Sequence, residues 1–327
     1  MKYLIKVAYR QLKDLLYRIR TFSARARALR TFPDLSALNN PFFIVGIPGS
    51  LHVVELCLKF VPSDVDIVLV ANGLDAWELG WAREHLKVKT TVVIERMLDH
   101  GDVLDLLFEK YHRPFGILDY DCFVINPNSF QRIREISSEC MLNAFFIYRN
   151  ETLGLELPET FFLYFNTPVI NSIKRQYSIN SKSISFDLLS KKVKKQLAKI
   201  GIDRGHYPEE YKKHFDTLRL IMAIGLAEGY KINFLERYPA GNFLNRNIFH
   251  VGGVARPNVL KGSWQVRGSY FWRRLLEVCN DPQLILHYEK QFGSITSTEI
   301  LDLHPDSRNK IGTEFVQFVD EIIQKNR

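Results

Sequence analysis

The chain is expected to fold as an α/β domain with a mostly parallel sheet and helices on both faces. Two observations predict it. Short apolar runs alternate with segments of helical periodicity from Pro41 to Tyr111, a spacing that makes parallel strands joined by crossover helices. The fourth apolar run, Phe115 to Asp119, then ends in two carboxylates, Asp119 and Asp121. Open α/β sheets hold their ligands at the carboxyl ends of the strands, which is where this charge falls.

Before the first strand stands a basic tail. Met1, Leu4, Ile5, Ala8, Leu12, Leu15, Leu16, Ile19 and Phe22 recur at three- and four-residue steps, with Lys2, Lys6, Arg10, Lys13 and Arg20 opposite. Of the 44 Lys and Arg and 36 Asp and Glu, nine bases and one acid fall in residues 1–30, leaving 35 of each sign for the rest. The pI near 9.2 therefore describes a tail, and nucleic acid is not an expected partner. A basic amphipathic helix fits an anionic membrane surface; it also fits a helix packed on the domain with a solvated basic face. Residues 31–40 read as the linker.

Phe42 to Val45 is the first strand, Ile47 to Ser50 a turn, and Leu51 to Val61 a helix. Asp66 to Ala71, Asp75 to Leu86, Thr90 to Glu95 and a helix capped by Asp99 and running to Tyr111 continue the alternation. The strand ends supply Gly46, Ile47, Pro48, Asn72, Arg96, Asp119 and Tyr120 as candidate nucleotide contacts. The first turn lacks the spacing of a phosphate-cradling loop, so an edge for a flat base is expected there.

Beyond Asn128 come a strand over Met141 to Tyr148, a turn at Asn166-Thr167-Pro168, a lysine-rich helix from Ser183 to Lys199, a buried helix from Phe215 to Glu228 and a closing strand at Lys231 to Leu235. Helices at 269–279, 283–292 and 313–324 are expected to form a C-terminal cap. The boundaries that follow are 1–40 for tail and linker, 41–260 for the catalytic domain, divided at 128/129 into nucleotide and acceptor halves, and 261–327 for the cap. The four cysteines show no C-x-x-C spacing, and Cys57 and Cys122 sit in apolar runs, so a reducing, cytoplasmic compartment is expected. No apolar run reaches the roughly 18 residues that span a bilayer.

Asp119 and Asp121 are about 6 to 7 Å apart by strand rise, and burial raises the cost of ionising both. A divalent cation would relieve that cost. His250 ends an apolar segment, precedes two glycines and stands six residues before Arg256; it reads either as a third ligand, better suited to Mn²⁺ than Mg²⁺, or as a core histidine before a turn.

Leu118-Asp119-Tyr120-Asp121-Cys122-Phe123-Val124 resembles the L-D-x-D-x-x-V of GT-A-fold glycosyltransferases. His250 to Pro257 fits H-x-x-G-x-x-[KR]-P, similar to the closing motif of the retaining family that includes glycogenin and the bacterial lipopolysaccharide galactosyltransferases. Phe165 to Asn171 is like that family's F-N-S-G-V-x-L-I-N, one residue shorter, and Asp216 with Leu218 lies where D-Q-D-x-L-N is expected. Tyr238-Pro239 to Asn242 resembles the stretch before the closing motif. The departures are Arg256 for Lys, Asn258 for Trp, Pro168 for Gly and His214-Phe215-Asp216 for D-Q-D.

The resemblance implies a metal-dependent hexosyltransferase, retaining, using a UDP-sugar or related donor and Mn²⁺ or Mg²⁺. It implies that Asp119, Asp121 and His250 hold the metal, Gly253 and Arg256 contact the diphosphate, and Asn166 and Asp216 surround the sugar and acceptor. Asp216 reads equally as a base, a sugar ligand or a helix cap. The acceptor expected with the basic tail is a glycan or lipid-linked molecule at the inner membrane face. Rival readings are a haloacid dehalogenase type phosphatase, from Ile117 to Asp121, and a catalytically inactive transferase-like protein.

Overall fold

The computed structural model describes residues 16–17, 19–150, 153–206, 214–239, 247–254, 266–302 and 312–325. A helix over residues 19–30 (α1) precedes β1 (Phe42–Gly46), α2 (Leu51–Leu58) and β2 (Ile67–Asn72). α3 (Ala76–His85) starts in a capping box, in which the Asp75 carboxylate accepts from Glu78 N–H and the Glu78 carboxylate from Asp75 N–H. β3 (Thr90–Ile94), α4 (His100–Lys110) and β4 (Phe115–Leu118) complete the alternation read from the sequence.

The second half is more irregular. β5 (Cys122–Val124) and α5 (Asn128–Arg134) lead to β6 (Cys140–Asn150), β7 (Leu155–Pro158), β8 (Phe162–Phe165) and α6 (Thr167–Tyr177). The turn expected at Asn166-Thr167-Pro168 is the start of α6, because proline needs no hydrogen-bond donor in a first helical turn. β9 (Ile184–Ser185) pairs with β10 (His214–Phe215), so the lysine-rich helix is short: α7 is Lys191–Leu197, beginning where the Ser190 hydroxyl accepts from Val193 N–H. α8 (Arg219–Ala227), β11 (Lys231–Pro239) and β12 (Ile248–His250) follow, then α9 (Val266–Glu277), α10 (Pro282–Phe292), α11 (Ser297–Asp302) and α12 (Thr313–Lys325).

The main sheet runs β11-β6-β8-β4-β1-β2-β3, with β7 added to β6. β1 is parallel to β2 and β4, β2 to β3, and β11 to β6, whereas β8 is antiparallel to both its neighbours. Successive side chains point to opposite faces of a strand, and both faces here are apolar. Phe42, Ile44, Ile67 and Leu69 face a core shared with α2, α3 and the C-terminal helices; Phe43, Val68 and Val70 face one shared with α4, α6 and α8. Phe271, Leu284, Phe315 and Val319 belong to the first core, so the C-terminal helices are packed as part of the domain. Gly116 is needed between the strands, since a Cβ there would meet the Phe42 ring at 2.1 Å.

The first fifteen residues of the basic tail lie outside the described residues. Its last part, α1, is docked: Ala28 is buried, Tyr17 Oη donates to Asp102 and accepts from Asp99 N–H, and Arg25 and Arg27 pair with Glu109 and Glu95. The acids that balance this stretch come from the domain. Leu16, Ile19 and Phe22 remain exposed.

Candidate active site

Parallel strands bring their carboxyl ends to one edge, and the register β1 Gly46 to β2 Ala71, with Asn72 opposite Ile94, puts the predicted strand-end residues there. Asp119 follows β4 directly. Its N–H donates to Phe161 O at 2.8 Å, continuing the β4–β8 ladder, while Cys122 N–H turns back onto Asp119 O at 2.9 Å. That tight turn sends β5 off to pair with β12, with His250 opposite Cys122 and Val251 N–H donating to Asp121 O at 3.0 Å. Residues more than a hundred positions apart thus become neighbours.

The ligand atoms of Asp119, Asp121 and His250 lie within 4.8 Å of one another, and His250 Nε2 is 3.4 Å from Asp121 Oδ1. The imidazole is stacked under the Phe161 ring, centroids 3.7 Å apart and planes at 20°, which fixes its orientation. Gly252 and Gly253 follow in the left-handed region, φ 70° and 74°, where only glycine sits without strain. A Cβ on Gly268 of α9 would come within 2.5 Å of the Gly253 carbonyl carbon, so this loop is seated against the helix backbone.

The electrostatics follow from burial. Burial lifts the Asp119 carboxyl to about 7, Asp121 adds to the rise and His250 opposes it. For His250 burial is the largest single influence and disfavours the imidazolium, yet Asp121, Asp119 and Glu159 together hold it above the ordinary histidine range. Protons on Asp119 and His250 are what a cation would displace. Two carboxylates and one imidazole suit a borderline divalent ion, and their spread is close to what one ion with bonds of roughly 2.1 Å spans.

Other predicted residues are placed differently. Asn166 is set apart by the register: β8 runs antiparallel to β4, Phe165 pairs with Phe115, and Asn166 lies beyond the far end of the strand from Asp119, about 17 Å away by strand rise. Its amide donates to Cys140 O. The Asn72 amide is buried and spent on the backbone, donating to Leu98 O at 2.9 Å and accepting from Leu98 N–H at 2.8 Å. The Arg96 guanidinium donates to Arg20 O and so holds α1. Tyr120 is buried in the first core, its phenol pushed far up by burial and then by the two aspartates. Gly46, Ile47 and Pro48 form the first turn, braced by the Ser50 hydroxyl, which accepts from Ile47 N–H and donates to Ile47 O. Asp216 accepts from Thr217 N–H and does not cap α8, whose cap position is Leu218. It faces His100, whose imidazole burial holds below its ordinary range against the pull of Asp216. Arg256 lies outside the described residues.

Three residues at the site escaped the sequence reading. Phe161 covers His250, and Glu159 sits near enough to raise it. Arg219, buried at the start of α8, reaches Glu159 at 3.5 Å.

Residues 20–170 match the family model described as StrH glycosyltransferase N-terminal domain. The α/β architecture, a mainly parallel sheet flanked by helices on both faces, is the fold class expected from the sequence. A stretch of 104 residues, 32% of the chain's length, is 31% identical to a dTDP-dihydrostreptose--streptidine-6-phosphate dihydrostreptosyltransferase of Streptomyces griseus, and spans 27% of that protein. The chain is also similar in outline to the galactosyltransferase LgtC in complex with donor and acceptor sugar analogs, at 11% identity, covering 74% of this chain and 96% of that one with a TM-score of 0.41. A second structure, the mannosyltransferase PcManGT from Pyrobaculum calidifontis in complex with GDP-Man and Mn²⁺, is 10% identical, with coverage of 95% and 97% and a TM-score of 0.37. No helix among the described residues is long and apolar enough to cross a membrane.

Proposed function

We propose that the chain moves a glycosyl group, with retention of configuration, from a nucleoside diphosphate sugar to a glycan or lipid-linked acceptor. The observation that carries this is the convergence of Asp119, Asp121 and His250 at the ligand-binding edge of the sheet. Mn²⁺ or Mg²⁺ held there would supply a Lewis acid for the negative charge that develops on the leaving diphosphate. Asp121 and His250 bind the ion, and Asp119 reaches both ion and ribose. Phe161 keeps the imidazole in its ligating pose and excludes water from one face. Gly252 and Gly253 let the backbone approach the diphosphate closely, and Arg256 adds a cation to it. The first turn, Gly46 to Pro48, forms an edge for the base, which is uracil or thymine; the Streptomyces griseus relative is named for a dTDP-linked donor. Asp216, with His100 as its neighbour, binds a hydroxyl of sugar or acceptor in this reading.

The membrane reading is supported by exposed Leu16, Ile19 and Phe22, which follow the sequence stretch that carries Lys2, Lys6, Arg10 and Lys13, with the inner membrane face as the site of action. The matched glycosyltransferase model and the assembled acid–acid–imidazole group favour an active transferase over a phosphatase or an inactive relative. Donor hydrolysis measured by mass spectrometry on UDP- and dTDP-hexoses, with Mn²⁺ and with EDTA, tests the reading. Turnover that is lost with EDTA and in Asp121→Ala is expected; turnover indifferent to both would refute it.

A further inference from the structure

Between α2, α3 and the α9–α10 connection lies a cavity of about 910 Å³ that shares no lining residue with the Asp119 group, within the roughly 300–1,000 Å³ range of small-ligand sites. α2 contributes His52 and Glu55, α3 contributes Trp77, Trp81 and Glu84, and the α9–α10 connection contributes Asn280. Two indoles and two carboxylates thus border one groove. Trp77 is backed by His287, rings stacked at 4.1 Å, and Trp81 by His85 at 4.5 Å, with the Trp81 indole N–H donating to Asp281. The aromatic walls are therefore held rigid. Glu55 and Glu84 form no ion pair among the described residues.

His52 of α2 borders the cavity from the core side. It is 2% exposed, and its Nε2 lies 3.1 Å from Trp272 O. A carbonyl accepts, so Nε2 carries the proton and Nδ1 is a bare acceptor. That Nδ1 is buried without a partner, and burial, the main influence, drives the imidazole down to about 4, so it does not gain a second proton near neutrality. A buried acceptor left unpaired is costly.

The lining pairs the acceptors Glu55 and Glu84 with the donors Lys59, Asn280 and Gln283, beside the apolar face of Trp77. We propose that this groove binds a neutral saccharide. Its hydroxyls donate to Glu55 and Glu84 and accept from Lys59 and Gln283, and a C–H face packs on Trp77. A compact polyamine would satisfy the carboxylates but would leave the indole walls largely uncovered and would meet Lys59 across the cavity. The site is separate from the Asp119 group, and its occupation does not depend on that group turning over a donor. In a transferase it would hold a glycan near the protein and raise its local concentration.

The test is tryptophan fluorescence and saturation-transfer NMR on the full chain with neutral gluco-, galacto- and manno-configured tetrasaccharides, beside spermidine. At least one tetrasaccharide is expected to bind in the millimolar range, with affinity falling about tenfold in Trp77→Ala and several-fold in Glu84→Gln. Glu84 is exposed, so that variant keeps the fold. Asp121→Ala is expected to bind the saccharide as before, which separates failure here from failure of the proposed reaction. No saturable saccharide binding at about 20 mM, binding unchanged in both groove variants, or binding of spermidine alone would overturn the assignment.

Discussion

Mn²⁺ should stabilise this protein strongly above pH 7 and weakly below it, and Asp121→Asn should remove the effect. Burial and the neighbouring Asp121 raise Asp119 to about 7, so at pH 6 a proton occupies the carboxylate that an ion needs. Displacing one proton lowers apparent affinity about tenfold for each pH unit below 7. His250 is also raised; where it too must lose a proton, the dependence steepens toward a hundredfold. An ion present at a hundred times its dissociation constant at pH 8 stabilises by about 2.7 kcal/mol. That is on the order of 5 °C in melting temperature for a chain this long. At pH 6 the same concentration gives about 1.4 kcal/mol with one proton displaced, and less where a second must leave. Without the ion the sign reverses: the unfolded carboxyl ionises near 4 and the folded one near 7, so stability falls between those values and stays low above. Thermal unfolding monitored by intrinsic fluorescence at pH 6, 7 and 8, with and without Mn²⁺, reads both effects. A shift independent of pH, or one of equal size in Asp121→Asn, would show that the ion sits elsewhere.

Glu159→Gln removes one of the charges that raise His250, so the pH midpoint of Mn²⁺ stabilisation should move down by a fraction of a unit; an upward move refutes the electrostatic account. Asn166→Ala should leave kcat within about twofold, since its side chain lies at the other end of β8 from the acidic pair; a large loss of kcat with unchanged stability would return Asn166 to the site. Gly268→Ala forces its Cβ against Gly253 backbone at 2.5 Å; overpacking of this kind costs about 1–3 kcal/mol, and donor affinity should fall with it, as calorimetry would show. Replacing Ile19 and Phe22 by Ser should weaken binding to anionic liposomes in flotation assays without changing donor hydrolysis, and undiminished flotation would count against the tail as a membrane contact.

The parts of this structure that were legible in the sequence are those set by local pattern. Phe42 to Val45 and Asp66 to Ala71 are apolar at every position or nearly so, and Asp75 with Glu78 marks a helix start by chemistry alone. Asp119, Asp121 and His250 were legible because two motifs each bring an ordered set of residues, and the structure joins them through β5 and β12. What stayed hidden depended on pairing over distance. Asn72 looks like a free strand-end amide until Leu98, 26 residues on, takes both its hydrogen bonds. The tail looks like unbalanced charge until Glu95 and Glu109 are folded against Arg27 and Arg25.

The direction of β8 explains the remaining difference. In a sheet of parallel strands the residue after each strand joins the ligand edge, and by that rule Asn166 belongs there. β8 is inserted between β4 and β6 with the opposite polarity, so its beginning, not its end, meets Asp119. The residues delivered are therefore Glu159 and Phe161, from a stretch that carries no recognisable motif. One of them covers the imidazole and the other charges it, and Arg219 of α8 closes on Glu159 from the far side. A single reversed strand thus decides which side chains tune His250.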